Sequence, residues 1–421
     1  MGLTLAEKIL SAKAGKEVLP GEIVHVSPDR VMCNDFALQV IRQLRELGEE
    51  KPWDPGRIVV VIDHRGPAND AVLAGYHDEI RRYTATHGIT FYDVAQGVSH
   101  PLMVENGHVR PGDVVIGTDS HSVSYGCLGA FGTGVGNTEM AAIFVTGRIW
   151  LKVPQSVKVV LTGRLPVGVY AKDIMLTLIG RLTMDGCTYR AVEYHGDLVG
   201  RLQVSERFTL CNLSVELGGK AGMVPPDEIT EAYVRGRVRE PYTPLRPDPD
   251  AVYAQEVRVD AGSLEPLAAC PHKVDNVRPV REIRDVRVQQ AFVGSCTNGS
   301  LDDLRIAAAV VRGKRVAPGV RFIIGPGSRD VFLRALEQGY IQTLVEAGAT
   351  VSTPGCGACI GQRGALADGE VTIASSSRNS PGRMGSRKAE IYLASPATVA
   401  ASAVTGVITD PRDVVGGEDP R

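Results

Sequence analysis

Three cysteines in two short, glycine-flanked stretches carry the most distinctive chemistry of the chain. Cys296 stands alone in Ala291–Ser300, AFVGSCTNGS, and Cys356 and Cys359 form a C-x-x-C in Pro354–Gly361, PGCGACIG. Small residues on either side let the backbone curl close to a bound group, so the three read as thiolate ligands of one inorganic centre. A structural zinc site wants four protein ligands, usually as two such pairs, and only one pair is present. A thioredoxin-type redox pair has no use for Cys296. Three thiolates suit a cubane iron-sulfur cluster with one iron left open, a Lewis acid rather than an electron carrier. On spacing alone, zinc and buried structural cysteines stay open as alternatives.

Two carboxylate–imidazole pairs accompany them, Asp63-His64 and Asp119-Ser120-His121. A carboxylate beside an imidazole fixes its tautomer and raises its basicity, which makes a usable general acid. A loop hydrogen bond is the plainer reading of either pair alone; two pairs together with three thiolates weigh against it. Arg378 and Arg383 lie in SSSRNSPGRMGSRK. Guanidinium forks grip carboxylates, so two in one glycine-containing loop suit a di- or tricarboxylate, whereas Arg387-Lys388 reads as a solvated turn. Gly132–Gly136, GTGVG, invites a nucleotide reading but lacks the full dinucleotide fingerprint and follows a loop, so the signal is weak.

The elements that must position these groups alternate between strand and helix. Thr4-x-x-Glu7 is a capping box opening a helix with Leu5, Ile9 and Leu10 on one face. A loop with Asp29, Asn34 and Asp35 precedes helical spacing over Phe36–Leu47. Arg57–Asp63, RIVVVID, reads as a strand buried on both faces, followed by a helix over Ala71–His87, stopped at Gly88, and a strand over Ile89–Val94. His100 falls in the loop behind that strand. Further strands are expected at Asp113–Thr118, Val157–Thr162, Arg190–His195, Val286–Val293, Val320–Ile324 and Val371–Ala374. Helices are expected at Thr138–Trp150, Ala171–Met184, Leu301–Arg312 and Arg329–Gln338. Arg239–Asp250, with four prolines, is a surface connector, and the charged tail Asp410–Arg421 is expected to fray. Asp63-His64, His100, Asp119-Ser120-His121, Cys296 and Arg378 all follow strands, where open parallel sheets place ligand-binding groups.

Length and composition bound the rest. At 421 residues, 43% hydrophobic and 22% charged, the chain is of ordinary globular composition and long enough for several domains. Three α/β domains are expected, over residues 1–128, 129–280 and 281–421. A net charge of −2 gives no reason to expect nucleic acid or a membrane surface as partner. There is no signal-peptide pattern and no apolar run long enough for a bilayer, and scattered cysteines point to reduced thiols in cytoplasm.

At this point the motifs carry a resemblance. IDH at Ile62–His64, GTDSH at Gly117–His121, CNLSVE at Cys211–Glu216, GSCTNG at Gly294–Gly299, PGCGACIG at Pro354–Gly361 and ASPATVAASA at Ala394–Ala403 resemble the aconitase superfamily over nearly the whole chain. Within it, the length and the stop shortly after TGVITDPR are similar to separate large subunits of the isopropylmalate dehydratase and homoaconitase type. The resemblance implies three α/β domains packed around a central cluster cleft, without the fourth, swivelling domain. It implies a 4Fe-4S cluster on Cys296, Cys356 and Cys359, with one iron lacking a protein ligand. His64, oriented by Asp63, would protonate the departing hydroxyl. His100, Asp119 and His121 would surround the water at the open iron, with Glu216 beside His121. Ser120 would touch substrate, Asn212 would lie near the cluster, and Arg378 and Arg383 would hold substrate carboxylates. The base would be a serine of a small partner subunit carrying the swivelling domain, in a heterodimer or heterotetramer.

The activity so implied is a hydro-lyase acting on a 2-alkylmalate-type acid. Homocitrate-type and methylmalate or dimethylmalate substrates are the alternatives within the class. An iron-responsive RNA-binding module is the alternative outside it, against which the near-neutral charge and the lack of a basic stripe argue. The family commonly has S-N-R-N-F-x-G-R where this chain has Ser376-Ser377-Arg378-Asn379-Ser380-Pro381-Gly382-Arg383, so both arginines persist while serines replace an Asn and a Phe. Arg65, directly after His64, adds a cation near the pocket or points to solvent.

Overall fold

The computed structural model describes residues 2–415; the fraying expected of the tail falls, for 416–421, outside the described residues. The chain divides into two compact units. The first comprises Met1–Val94, Ser99–Thr162 and Cys187–Val259; the second comprises Ala95–Val98, Gly163–Gly186 and Asp260–Arg421. Both are α/β, built on largely parallel sheets.

The first unit opens as its sequence dictates. Thr4 and Glu7 form the reciprocal capping box of helix Leu5–Ala14, which ends at Gly15 in the left-handed region. Its main sheet has the order Thr90–Tyr92, Ile58–Val61, Arg30–Cys33, Val114–Gly117, Phe131–Gly134, all pairs parallel. Ile58–Val61 is buried at every position, and each fully buried Val or Ile contributes roughly 1.5–3 kcal/mol relative to exposure. Strand order reverses beside Arg30–Cys33, because the chain builds outward through Ile58–Val61 and then returns to the other side at Val114–Gly117. The loops after these three strands therefore open at a topological switch point. A second sheet runs Ala221–Met223, Ala191–His195, Ser156–Thr162, Gln255–Asp260.

In the second unit the order is Val277–Pro279, Leu267–Ala269, Glu390–Ala394, Val371–Ala374, Gln290–Val293, Arg321–Ile324, Thr350–Val351. The five strands from Glu390–Ala394 to Thr350–Val351 are parallel, and the first two are antiparallel additions at one edge. Here the order reverses between Gln290–Val293 and Val371–Ala374, whose C-terminal ends lead to Cys296 and to Ser375–Arg383. Ala291, Val293, Ile324, Ile373 and Ala394 join the helices Leu301–Val311 and Pro396–Thr405 in one apolar core.

Several elements differ from the sequence reading. The helix expected over Thr138–Trp150 spans Asn137–Thr146, because Gly147 takes a left-handed cap (φ 64°). Ile149–Lys152 then forms an antiparallel ribbon with Ile23–Val26, its alternating buried and exposed positions betraying a strand. Arg30–Cys33, read as loop, is the central strand of its sheet. His100 lies not in a loop but on helix Ser99–Glu105. Of the strand expected over Val286–Val293, only Gln290–Val293 forms. The helix Val204–Leu213 was not anticipated. The connector Arg239–Asp250 has neither helix nor strand.

Candidate active site

The proton-handling residues of the first unit converge on one carboxylate. Asp119 follows strand Val114–Gly117 and caps the 3-10 segment Ser120–Leu128. Its Oδ1 accepts from the His121 main-chain N–H (2.7 Å), and lies 3.0 Å from His100 Nε2 and 3.3 Å from His121 Nδ1. Burial pushes this carboxyl up, but the hydrogen bonds and charges of His100 and His121 outweigh burial and hold it well below the usual carboxylate range. An ionised carboxylate only accepts, so His100 presents Nε2–H to it. In the neutral ring, Nδ1 then accepts from the Tyr125 hydroxyl at 3.1 Å.

Asp63 and His64 follow strand Ile58–Val61. The buried Asp63 places Oδ1 2.6 Å from His64 Nδ1, and its Oδ2 accepts from the Ser99 N–H at 2.8 Å. Burial raises the Asp63 carboxyl, while His64 and the Ser99 hydrogen bonds bring it below its ordinary value. The Nδ1 proton of His64 is thereby committed to Asp63, and Nε2 lies 3.7 Å from Asp119 Oδ2. A further carboxylate, Asp35, stands behind the pair. Its Oδ2 accepts from the His64 N–H at 2.6 Å, and burial together with Asp63 pushes it up to about 6.

His121 is braced from its other side. Glu216, buried on the turn Ser214–Leu217, brings Oε1 within 3.3 Å of His121 Nε2. Asn212, at the end of helix Val204–Leu213, donates to Ser124 Oγ (2.9 Å), and Ser124 donates to the His121 carbonyl (2.5 Å). Ser120 is half-buried beside them. The glycine-rich stretch behind this turn is structural. A Cβ on Gly132 would meet the Ser122 carbonyl oxygen at 2.2 Å, and one on Gly126 the Gly222 carbonyl oxygen at 1.7 Å. Glycine lets the 3-10 segment lie directly on two strands.

The second unit holds the three thiols and two arginines. Cys296 sits behind strand Gln290–Val293 and follows Ser295, whose left-handed backbone (φ 74°) stores strain of order 1–3 kcal/mol at this loop. Cys356 caps the tight turn Gly357–Ile360 and Cys359 lies within it; the turn needs positive φ at Gly357 and Gly361. Arg383 Nη2 lies 3.5 Å from Cys359 Sγ. Ser375, ahead of Arg378, is pinned to the Cys296 loop, its Oγ accepting from the Gly294 N–H at 3.1 Å.

All eight cysteines are free thiols. Burial pushes Cys33, Cys127, Cys187, Cys211 and Cys270 up, so these five are neutral packing residues. The other three fit a thiolate-held cluster. Beside the Cys296 loop, the buried Ser376 and Ser377 hydroxyls make no hydrogen bond within the protein. Orphaned hydroxyls at such a place suit a group rich in acceptor atoms.

Sequence reasoning singled out each Asp-His pair but missed Tyr125, Ser124 and the role of Asp35, because the strand Arg30–Cys33 that brings Asp35 to His64 is too short to show a period.

The model of the family described as Aconitase family (aconitate hydratase) matches residues 7–285 and 276–406. The 3-isopropylmalate dehydratase large subunit 1 of Methanopyrus kandleri is 49% identical over 415 residues, which are 98% of this chain and 99% of that one. The homoaconitase large subunit of Thermus thermophilus is 50% identical over 417 residues, 98% of each chain. The 3-isopropylmalate dehydratase large subunit of Moorella thermoacetica is 45% identical over 420 residues, 99% of this chain and 100% of that one.

Proposed function

The chain belongs to the aconitase family, and from that premise we propose that it is the large subunit of an iron-sulfur hydro-lyase, a 3-isopropylmalate dehydratase of leucine biosynthesis. The reaction isomerises a 2-alkylmalate-type acid by dehydration and rehydration. The observation that carries this reading is the ionised Asp119 with His100 and His121 on one oxygen and the Asp63–His64 pair beside it.

Cys296, Cys356 and Cys359 would hold a 4Fe-4S cluster. When bound, it supplies an iron without a protein ligand, a Lewis acid that stabilises hydroxide as a leaving group. The protein's own groups do the rest. His64, its Nδ1–H held by Asp63, delivers a proton from Nε2 to the departing hydroxyl. Asp119, kept anionic, orients His100 and His121 by accepting from both at one oxygen, and Glu216 Oε1 lies 3.3 Å from the far nitrogen of His121. Arg378 and Arg383 grip the substrate carboxylates, and Ser120 adds a hydroxyl contact. This orients the reacting carbons before any bond breaks. Asn212 keeps the His121 turn in register.

The carbon-bound proton is taken by a serine of a small subunit, in a heterodimer or heterotetramer working with reduced thiols in the cytoplasm. The large-subunit designation of the relatives supports that division. A second reading, homoaconitase, is favoured by the 50% identity to the Thermus thermophilus protein. Co-expression with the candidate small subunit and anaerobic assays against isopropylmalate, homoaconitate and methylmalate test both. The proposal expects isopropylmalate to be preferred; turnover of homoaconitate alone would move the assignment to the second reading.

A further inference from the structure

Lys172 is nearly inaccessible to water although it carries an ammonium group. It lies on helix Ala171–Leu182, and its Nζ donates to two main-chain carbonyls, Ser375 (2.9 Å) and Ser376 (2.6 Å). Both are neutral acceptors, and an ammonium taken out of water needs more than carbonyl dipoles to offset its lost hydration. The adjacent carboxylate directs its hydrogen bonds elsewhere. Asp173 turns its two oxygens to the N–H groups of Tyr170 and Leu267, each at 2.9 Å. Asp303 is likewise committed, accepting from Ser300 and Asn298.

The segment Lys172 grips is the one that meets the Cys296 loop. Ser375 gives its carbonyl to Lys172 and its Oγ to the Gly294 N–H (3.1 Å), two residues ahead of Cys296. Lysine, serine and cysteine loop thus form one continuous brace at the switch point of the sheet. We infer that Lys172 is the internal counter-cation of the thiolate set, a positioning residue that braces the Ser375–Ser376 segment and stabilises the negative charge that Cys296 and Cys359 carry when they hold a cluster.

This rests on the cluster reading above. Burial lowers the Lys172 ammonium to about 8, and the groups holding it up against burial are Cys359 first, then Asp303, Cys296 and Asp173. It is therefore still cationic at neutral pH. A fixed positive charge in a low-dielectric interior favours the more negative of two redox states, so it raises the potential of a nearby cluster and slows its oxidative breakdown.

The test uses the full chain, reconstituted anaerobically with iron and sulfide, as wild type, K172M and K172R. The cluster midpoint potential is measured by redox titration followed by electron paramagnetic resonance, and iron loss is timed under a mild oxidant. K172M is expected to titrate at a more negative potential and lose iron faster, with K172R restored toward wild type. A purely structural lysine would leave the potential unmoved, so equal potentials in K172M and wild type at equal cluster content overturn the inference. Should K172M fold, by circular dichroism, yet take up no cluster, uptake by K172R supports the charge and failure of both contradicts it. Absence of iron and sulfide from the wild type would instead remove the cluster reading, and this inference with it.

Discussion

His64 and Asp119 divide the proton chemistry between them, and their substitutions should separate. With the small subunit present, His64→Ala is expected to keep its iron and sulfide while kcat falls about 10²–10⁴-fold, the usual reach of a general acid. Retained turnover would remove His64 from the mechanism. Asp119 predicts a different signature. Its carboxyl is held below the ordinary carboxylate value, so the stability it contributes is present above about pH 4 and is lost as pH falls through its own lower value. Asp119→Asn should therefore melt below wild type at pH 7, with the gap closing as the solution becomes strongly acidic. At this scale the sequence was most informative where partners are chain neighbours: Asp63-His64 and Asp119-Ser120-His121 could be read directly. The sharing of Asp119 by His100 and His121 could not, because His100 reaches it from helix Ser99–Glu105. Lys172 was invisible for a physical reason: in a helical pattern a lysine reads as the solvated face, and only tertiary packing reveals that it is buried.

Elements place these residues through close approach and through buried charge. Gly126→Ala would drive a Cβ into the Gly222 carbonyl oxygen, separating Ser120–Leu128 from strand Ala221–Met223. A loss of roughly 1–3 kcal/mol is expected in denaturant titration, with activity falling because His121 rides on that segment. Asp173, at the start of helix Ala171–Leu182, is pushed by burial to about 7, while main-chain hydrogen bonds from Leu267 and Tyr170 pull the other way. A carboxyl raised in the folded state favours folding most below its unfolded value of about 4, and that contribution drains away as pH rises toward 7. The melting temperature of Asp173→Asn should accordingly decline less between pH 5.5 and 7 than that of wild type. An equal slope would show that Asp173 is not the group responsible. Long apolar runs such as Ile58–Val61 and capped helices such as Leu5–Ala14 were legible, since burial pattern and capping chemistry are local. The four-residue strand Arg30–Cys33 was not: it is too short to show a period, and sheet pairing on both sides stabilises it.

For the whole molecule, six motifs spread along the chain identified the family before any contact was known, and the family match over residues 7–285 and 276–406 agrees. The path between the motifs was less readable. Gly163–Gly186 belongs with Asp260–Arg421 although the segments on either side of it pack elsewhere. Composition cannot reveal that, because each visit of the chain to a unit has the same α/β character. The net charge of −2 predicts no salt-dependent RNA binding, which a filter-binding titration across ionic strength would check. The central claim is that Cys296, Cys356 and Cys359 hold a catalytic cluster. Iron and acid-labile sulfide content after anaerobic reconstitution, measured on wild type and Cys356→Ser together, tests it most directly. A brown, oxygen-sensitive wild type with iron and sulfide in equal amounts, beside a variant that retains neither, is the expected result; a wild type containing no iron and no sulfide would contradict it.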